Sequence, residues 1–426
     1  NGNPLYWLAS IAEWVLPQTD ILEFDYCSGK RQRQGAAPLQ DDVFDRIFLS
    51  LQSSKCQSME QVEVLRMASH RINLTATQMR QLLVMYEDDA PRAEIFTVLF
   101  FRIVDIHNEK IFRVRFEKHE ELHKLQRMLG KVTCFPFMQP DQARFEYDFK
   151  FWDERLACNI LFQLSAREGW GNLQEACMVN EEGHSEMLES IPKSWEVLDR
   201  MPTIGTFKAA YTCAPEDREF KLRRRLLERY GFWETHLQNE SDVRWWTSLQ
   251  DSPAEVRDFL AWVVRRYTDV YEVLREITGG AENIEIEFAE FADGVLALDC
   301  QIFENDEDEE HEERCLLQIF RFIDRNNTGF ITKPKWRILE QLWREMQYSI
   351  NEFCIFIERA FGMGLKKPWA FLDKDKDGFL TAEEWEQSCQ QIGYFGHAMP
   401  IFQFLDKDGE GCVKFKDFQH LHSFRR

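Results

Sequence analysis

Apolar residues recur at helical spacing through residues 41–135. Val43, Phe44, Ile47, Phe48 and Leu51 form one stripe. Ser58 with Gln61, and Thr75 with Gln78, read as capping boxes. The first precedes Val62, Leu65 and Met67, and the second precedes Met79, Leu82, Leu83 and Tyr86. A third run carries Ile95, Val98, Leu99, Ile103 and Val104. A fourth starts near Glu117 and stops at Gly130, where a C-terminal cap is expected.

The period then changes. Phe145, Tyr147, Phe149 and Phe151 alternate with Arg144, Glu146, Asp148 and Lys150, which predicts a strand. Asp153 is placed to cap a helix running through Leu156, Ile160, Leu161 and Leu164. Phe207, Ala209, Tyr211 and Cys213 alternate again, and a helix follows over 217–230. Residues 236–269 read as helical and Trp-rich, with a helix start at Ser252-Pro253-Ala254-Glu255. Trp245, Trp246 and Trp262 read as core or interdomain packing. The expectation is a mainly α chain with a small α+β domain. An extension or linker (1–40) precedes a helical domain (41–135) and an α+β domain (136–240). A helical segment with a degenerate helix–loop–helix pair (241–345) and a cation-binding pair (346–426) follow.

The strongest repeat begins at residue 270. Apolar residues stand eight, five, four and one positions before each of four loops. They are Val270, Val273, Leu274 and Ile277; Leu316, Ile319, Phe320 and Ile323; Leu365, Pro368, Trp369 and Leu372; and Ala398, Ile401, Phe402 and Leu405. In the third loop Asp373, Asp375 and Asp377 supply carboxylates at positions one, three and five, and Gly378 makes the turn at six. Phe379 offers its carbonyl, Thr381 sits at position nine, and Glu384 at twelve can bind with both oxygens. A hard cation takes six to eight oxygens, and this loop provides them.

The fourth loop offers Asp406, Asp408, Glu410, Cys412 and Asp417. Its shorter carboxylate at position twelve suits weaker calcium binding, or magnesium. The second keeps Asp324, Asn326, Thr328 and Gly329 but places Lys335 at twelve, where an ammonium is expected to repel the ion. The first, from Thr278 to Glu290, lacks early carboxylates.

This third of the chain resembles the EF-hand calcium-binding superfamily, which implies hands paired through their loop strands, first with second and third with fourth. Val64-Leu65-Arg66, Leu74-Thr75, Gln78-Met79-Arg80-Gln81-Leu82-Leu83 and Ile103-Val104-Asp105 resemble the helical domain of unknown function 4476. That resemblance implies an interaction module.

Charge and composition narrow the function. The net charge is -21, so a phosphate backbone is repelled and nucleic acid is excluded as the main partner. The 11 Cys show no CxxC or zinc-like spacing and read as reduced thiols of a cytosol-like compartment. No apolar run reaches the roughly 18–20 residues of a membrane span. The apolar start at Tyr6-Trp7-Leu8 lacks a basic flank and is not read as a signal peptide, though a processed organellar form stays open.

The acidic run from Glu304 to Glu313 and the basic cluster Lys221, Arg223, Arg224 and Arg225 read as solvated faces; the alternatives are docking of a basic partner segment on the run, and contact of the basic cluster with that run or with an anionic partner. His119 and His123 share a helix face without a third metal ligand. Cys134 and Cys177 have no partnered His, and no phosphate-binding, nucleophile-elbow or zinc-protease motif occurs. The expected function is a non-enzymatic, calcium-responsive adaptor or regulatory subunit that contacts protein partners. The alternatives are an architectural subunit of a cytoskeletal, axonemal or membrane-bound assembly with static metal sites, and a calcium-regulated enzyme.

Overall fold

The N-terminal helical stripe folds as a set of short helices, α1 (Asp41–Gln52), α2 (Ser58–Ala68), α3 (Ala76–Leu83), α4 (Asp89–Leu99), α5 (Lys110–Arg113) and α6 (His119–Leu129). The computed structural model describes residues 36–424 except 117–118, 232–236, 250–251, 281–284, 301, 304–310 and 407–408. Most of the linker and of the acidic run therefore lies outside the described residues. The Thr75 box forms as expected: Gln78 N donates to Thr75 Oγ1 at 3.1 Å, and Thr75 N donates to Gln78 Oε1 at 3.1 Å. The other box shifts by one residue. Gln57 N donates to Glu60 at 2.9 Å, so Ser58 becomes the first helical residue and Met67 turns to solvent. The third run breaks at Leu99, and Ile103 forms a short parallel bridge with Leu74. Gly130 ends α6 at φ 91°, a conformation that favours glycine.

The period-two runs build an antiparallel sheet of β1 (Arg144–Asp148), β2 (Leu173–Val179), β3 (Ser185–Met187) and β4 (Thr206–Tyr211), in the order β1-β4-β2-β3. Phe145 faces Ala209 and Tyr147 faces Phe207 across the β1–β4 pair. β1 stops at Asp148 because that carboxylate accepts from Lys150 N at 2.9 Å and turns the chain, which leaves Phe151 half exposed. α7 (Trp152–Glu168) covers the sheet with Leu156, Ile160, Leu161 and Leu164. Asp153 lies inside its first turn and does not cap it; its carboxylate accepts from Lys131 N at 2.5 Å instead. α8 (Phe220–Tyr230) completes this small α+β part.

Residues 237–249 are not helical beyond one short turn. Their backbone is held by distant side chains: Arg244 N donates to Asn108 at 2.7 Å and Trp246 N to Gln139 at 2.7 Å. The helix after them, α9 (Ala254–Arg266), starts at Ala254, and the Ser252 hydroxyl donates back to Leu249 O and does not cap it. Four helix–loop–helix units follow. They are α10 (Val270–Ile277) with α11 (Phe288–Ala297), α12 (His311–Ile323) with α13 (Lys333–Phe361), α14 (Lys366–Leu372) with α15 (Ala382–Gln391), and α16 (Ala398–Leu405) with α17 (Phe415–Phe418). Short strands join their loops. β5 (Glu285–Ile286) pairs with β6 (Ile331–Thr332), and β7 (Phe379–Thr381) pairs with β8 (Cys412–Lys414). The structure is mainly α with a small α+β part.

α13 is 29 residues long and joins the second helix–loop–helix unit to the third. It carries a fully buried ionic group. Arg80 on α3 donates from Nη1 to Glu345 Oε2 at 2.5 Å, from Nη2 to Glu345 Oε1 at 2.9 Å, and from Nε to Glu352 Oε1 at 2.8 Å. Nη2 also reaches Ser349 Oγ at 3.1 Å, and Nη1 reaches Ile111 O at 3.2 Å. Arg115 donates to the second oxygen of Glu352, and the Trp246 indole to Glu345. Burial alone would raise the Glu345 carboxyl, but Arg80 outweighs it and holds the group down at about 2. His397 sits 3.7 Å from Glu345. Burial, and then Arg115, push its imidazole down from 6.5 to about 3.

Two predictions follow from this cluster. Removing one partner of a buried pair leaves the other charge unpaired, so Arg80→Met is expected to destabilise the protein by roughly 3–5 kcal/mol, read by urea unfolding. His397 is neutral when folded but takes a proton below 6.5 when unfolded. Its contribution is therefore lost as pH falls from 6.5 toward 3. Stability at pH 5.5 is expected to lie on the order of 1 kcal/mol below that at pH 7.5. In His397→Gln that difference should shrink.

Candidate metal centre

The loop between α14 and α15 starts at Asp373, directly after the last buried residue of α14, Leu372. Two tight turns shape it. Asp375 Oδ1 accepts from Asp377 N at 3.2 Å, and Asp377 Oδ1 accepts from Phe379 N at 2.8 Å. Lys376 at φ 63° and Gly378 at φ 87° bend the chain so that the carboxylates turn inward. One oxygen each of Asp373, Asp375 and Asp377 lies within 4.8 Å of the others. Asp373 is 6% exposed, and its Oδ1 has no hydrogen-bond partner. A buried carboxylate oxygen without a donor carries a large desolvation penalty unless a cation meets it. The donor set is all oxygen, which suits a hard divalent ion.

The far side of the loop is anchored. Leu380 is fully buried and pairs with Val413 across the β7–β8 ladder. Thr381 caps α15, and Glu384 accepts from Thr381 N at 3.0 Å and Thr381 Oγ1 at 2.8 Å. The position-twelve carboxylate is thus held on the cap, away from the three aspartates.

Residues 370–389 match the EF-hand family. The protein is a calcium-binding protein carrying an EF-hand, and that hand implies a divalent metal. The helical-domain resemblance of residues 41–135 finds no support in this comparison. Searches of curated proteins and of solved structures return no match.

The other loops differ. In the fourth, Asp406 Oδ2 accepts from Gly411 N at 3.0 Å, Glu410 pairs with Lys414 Nζ at 3.0 Å, and Asp417 accepts from Lys414 N at 3.4 Å. Among the described residues, Asp406, Glu410 and Asp417 do not converge as the third loop's aspartates do; Asp408 lies outside them, and Cys412 is in β8. The first loop keeps the strand pairing through Ile286 and Ile331.

The second loop holds a cation of its own. Lys335 Nζ donates to Asp324 Oδ1 at 2.6 Å, to Thr328 Oγ1, and to Phe330 O at 2.9 Å. These are positions one, five and seven of the loop, three of the oxygens it would offer to an ion. Lys335 was expected only to repel a metal; instead its ammonium occupies the ligand cradle. Both Lys335 and Asp324 are buried. Burial opposes ionisation of Asp324, but the ammonium and the loop amides hold its carboxyl below the ordinary range. The signal was present in the sequence: a long cationic chain at position twelve of a loop that retains Asp at one and a hydroxyl at five.

Elsewhere, the side chain of His119 lies outside the described residues, so the His119–His123 pair is not described. Cys134 is buried, and burial pushes its thiol up to about 12, far from nucleophilic range. The basic cluster on α8 splits. Arg223 is fully buried, donating to Glu168 at 2.7 and 2.8 Å and to Asp141 at 3.0 Å, whereas Arg225 stays exposed. Trp245, Trp246 and Trp262 are all buried.

Lys335→Glu converts position twelve to the ligand type of the third loop. Calorimetric titration of this variant is expected to show one more calcium per chain than wild type. An unchanged stoichiometry would mean that the ammonium is not standing in for an ion.

Proposed function

We propose that this protein is a non-enzymatic, calcium-responsive adaptor that contacts protein partners. Calcium would be held by Asp373, Asp375, Asp377, the Phe379 carbonyl, Thr381 through water, and Glu384. The observation that carries this reading is the buried, unpartnered Asp373 oxygen facing two further carboxylates in a loop of matching family. To ligate an ion held by the aspartates, Glu384 would leave its contact with Thr381. The Asp406 loop is the weaker partner, with Asp406, Asp408, Glu410, the Cys412 carbonyl and Asp417 as ligands, and magnesium competes there.

A route from the loop to the rest of the molecule supports a response. The Trp385 indole on α15 donates to Ala398 O at 2.8 Å. Tyr394, between the two hands, packs on Phe353 and Phe356 of α13 at 5.1 and 5.3 Å. Phe395 N donates to Val84 O at the end of α3 at 3.2 Å. The segment that follows α15 therefore touches the end of α3. None of the ten described cysteines forms a disulfide, which supports a reducing, cytoplasmic setting. Among the described residues no helix is long and apolar enough to cross a membrane.

One observation favours the architectural reading with a static ion. Arg265 on α9 donates to the carbonyls of Gln403 and Asp406, which fastens α16 to the preceding helices. Calorimetry separates these cases from no function at all. Saturable calcium uptake is expected, within the range of roughly 10⁻⁷–10⁻⁵ M for a sensor, and Glu384→Gln should abolish it. No uptake at millimolar calcium would overturn both readings. Chelation of a co-purified assembly then divides them: an adaptor changes partner affinity, and a static subunit stays bound.

A further inference from the structure

The α+β part carries a groove of about 1060 Å³ that the calcium loops do not touch. One wall is the C-terminal half of α7 and the face of α8 that bears Arg225 and Arg229. The other is the stretch 188–196 that follows the edge strand β3. Its floor is apolar, through Leu173, Leu222 and Leu226 among others. Its rim is cationic. Arg167, Lys193, Arg225 and Arg229 all line it, and all four are exposed. Among the described residues none of the four forms an ion pair; Arg229 stacks on the Tyr230 ring at 5.0 Å. Arg224, one position away from Arg225, is instead paired with Glu228 at 2.9 Å. Only Glu189 and Glu196 oppose the four cations along the lining. On a chain of net charge -21 this is a local reversal of sign.

We propose that this groove binds a short acidic segment, interspersed with apolar residues, from a protein partner. The proposal deepens the adaptor reading by giving the partner's chemistry, and it rests on that reading for its biological use. Three arguments select the occupant. The volume lies just above the roughly 300–1,000 Å³ of small-molecule sites, and the rim is charged where such sites are mostly apolar. A nucleic acid or an anionic membrane extends well beyond a Debye length of about 8–10 Å and would meet the acidic remainder of the surface. A segment of a few residues meets only the groove, where its carboxylates find unpaired guanidinium groups and its apolar side chains find the leucine floor. Trp170, 40% exposed at the rim, offers a flat apolar face to the same segment.

The test is fluorescence anisotropy with a labelled peptide of alternating Glu and Leu, added to the full chain in calcium and again in chelator. Saturable binding is expected that weakens with salt and weakens about tenfold or more in Arg225→Glu/Arg229→Glu. Lys193→Glu, on the opposite wall, should weaken it too, and Glu196→Gln should strengthen it. These side chains are at the surface, and an unchanged circular dichroism spectrum and urea midpoint for each variant verify that the chain is folded. No saturable binding, equal affinity in the double variant, or full displacement by inorganic pyrophosphate at equal concentration would overturn the proposal. The calcium reading stands or falls separately, because loss of peptide binding leaves calorimetric calcium uptake intact and loss of calcium uptake leaves the peptide bound in chelator.

Discussion

The guanidinium of Arg80, sealed against Glu345 and Glu352, is the constraint on which the rest of the arrangement depends. A cation with no exposure can be kept only if every donor meets an oxygen. Five contacts satisfy it, four from α13 and one from the carbonyl of Ile111 in α5. Arg115 and Trp246 complete the carboxylates. The N-terminal helices, the irregular tryptophan segment and the long helix of the second hand are therefore fixed to one another at a single point. Because α13 runs on to α14, that point also sets where the calcium loop sits. Hydrophobic burial is non-directional, whereas a bidentate ion pair adds a fixed geometry to the packed contact.

The same physics explains the unequal hands. Each loop gathers oxygens that repel one another unless a positive charge lies among them. In the second hand the chain supplies that charge covalently, through Lys335, so the exit helix is held without a metal. In the third, among the described residues, Asp373 keeps a buried oxygen without a donor. The loop filled by Lys335 lies at the start of α13, and the loop with the unpartnered Asp373 oxygen follows its end.

Much of this was legible in the sequence. The Thr75–Gln78 box, the alternation at Phe145 and Tyr147, and the four-fold spacing before the loops are local patterns, and each formed its element. Errors clustered where a distant partner competes with the local rule. Ser252 looks like a helix cap, yet its hydroxyl turns back to Leu249. Asp153 looks like one as well, but it serves the backbone of Lys131 and Val132. β2 and β3 escaped notice because β2 is interrupted by a bulge at Glu175, φ 53°, and β3 is an exposed three-residue edge without an apolar face.

The sequence by itself determined the helical stripes, the calcium-type loop at Asp373 and the loss of a ligand at Lys335, because spacing along the chain decides which side chains share a turn. Only the tertiary structure decided that Arg223 is buried while Arg225 is exposed, that Lys335 folds into its own cradle, and that Arg80 meets carboxylates more than 260 positions away. These outcomes depend on which surfaces come together. A charged residue reads the same in sequence whether water or a buried carboxylate will finally solvate it.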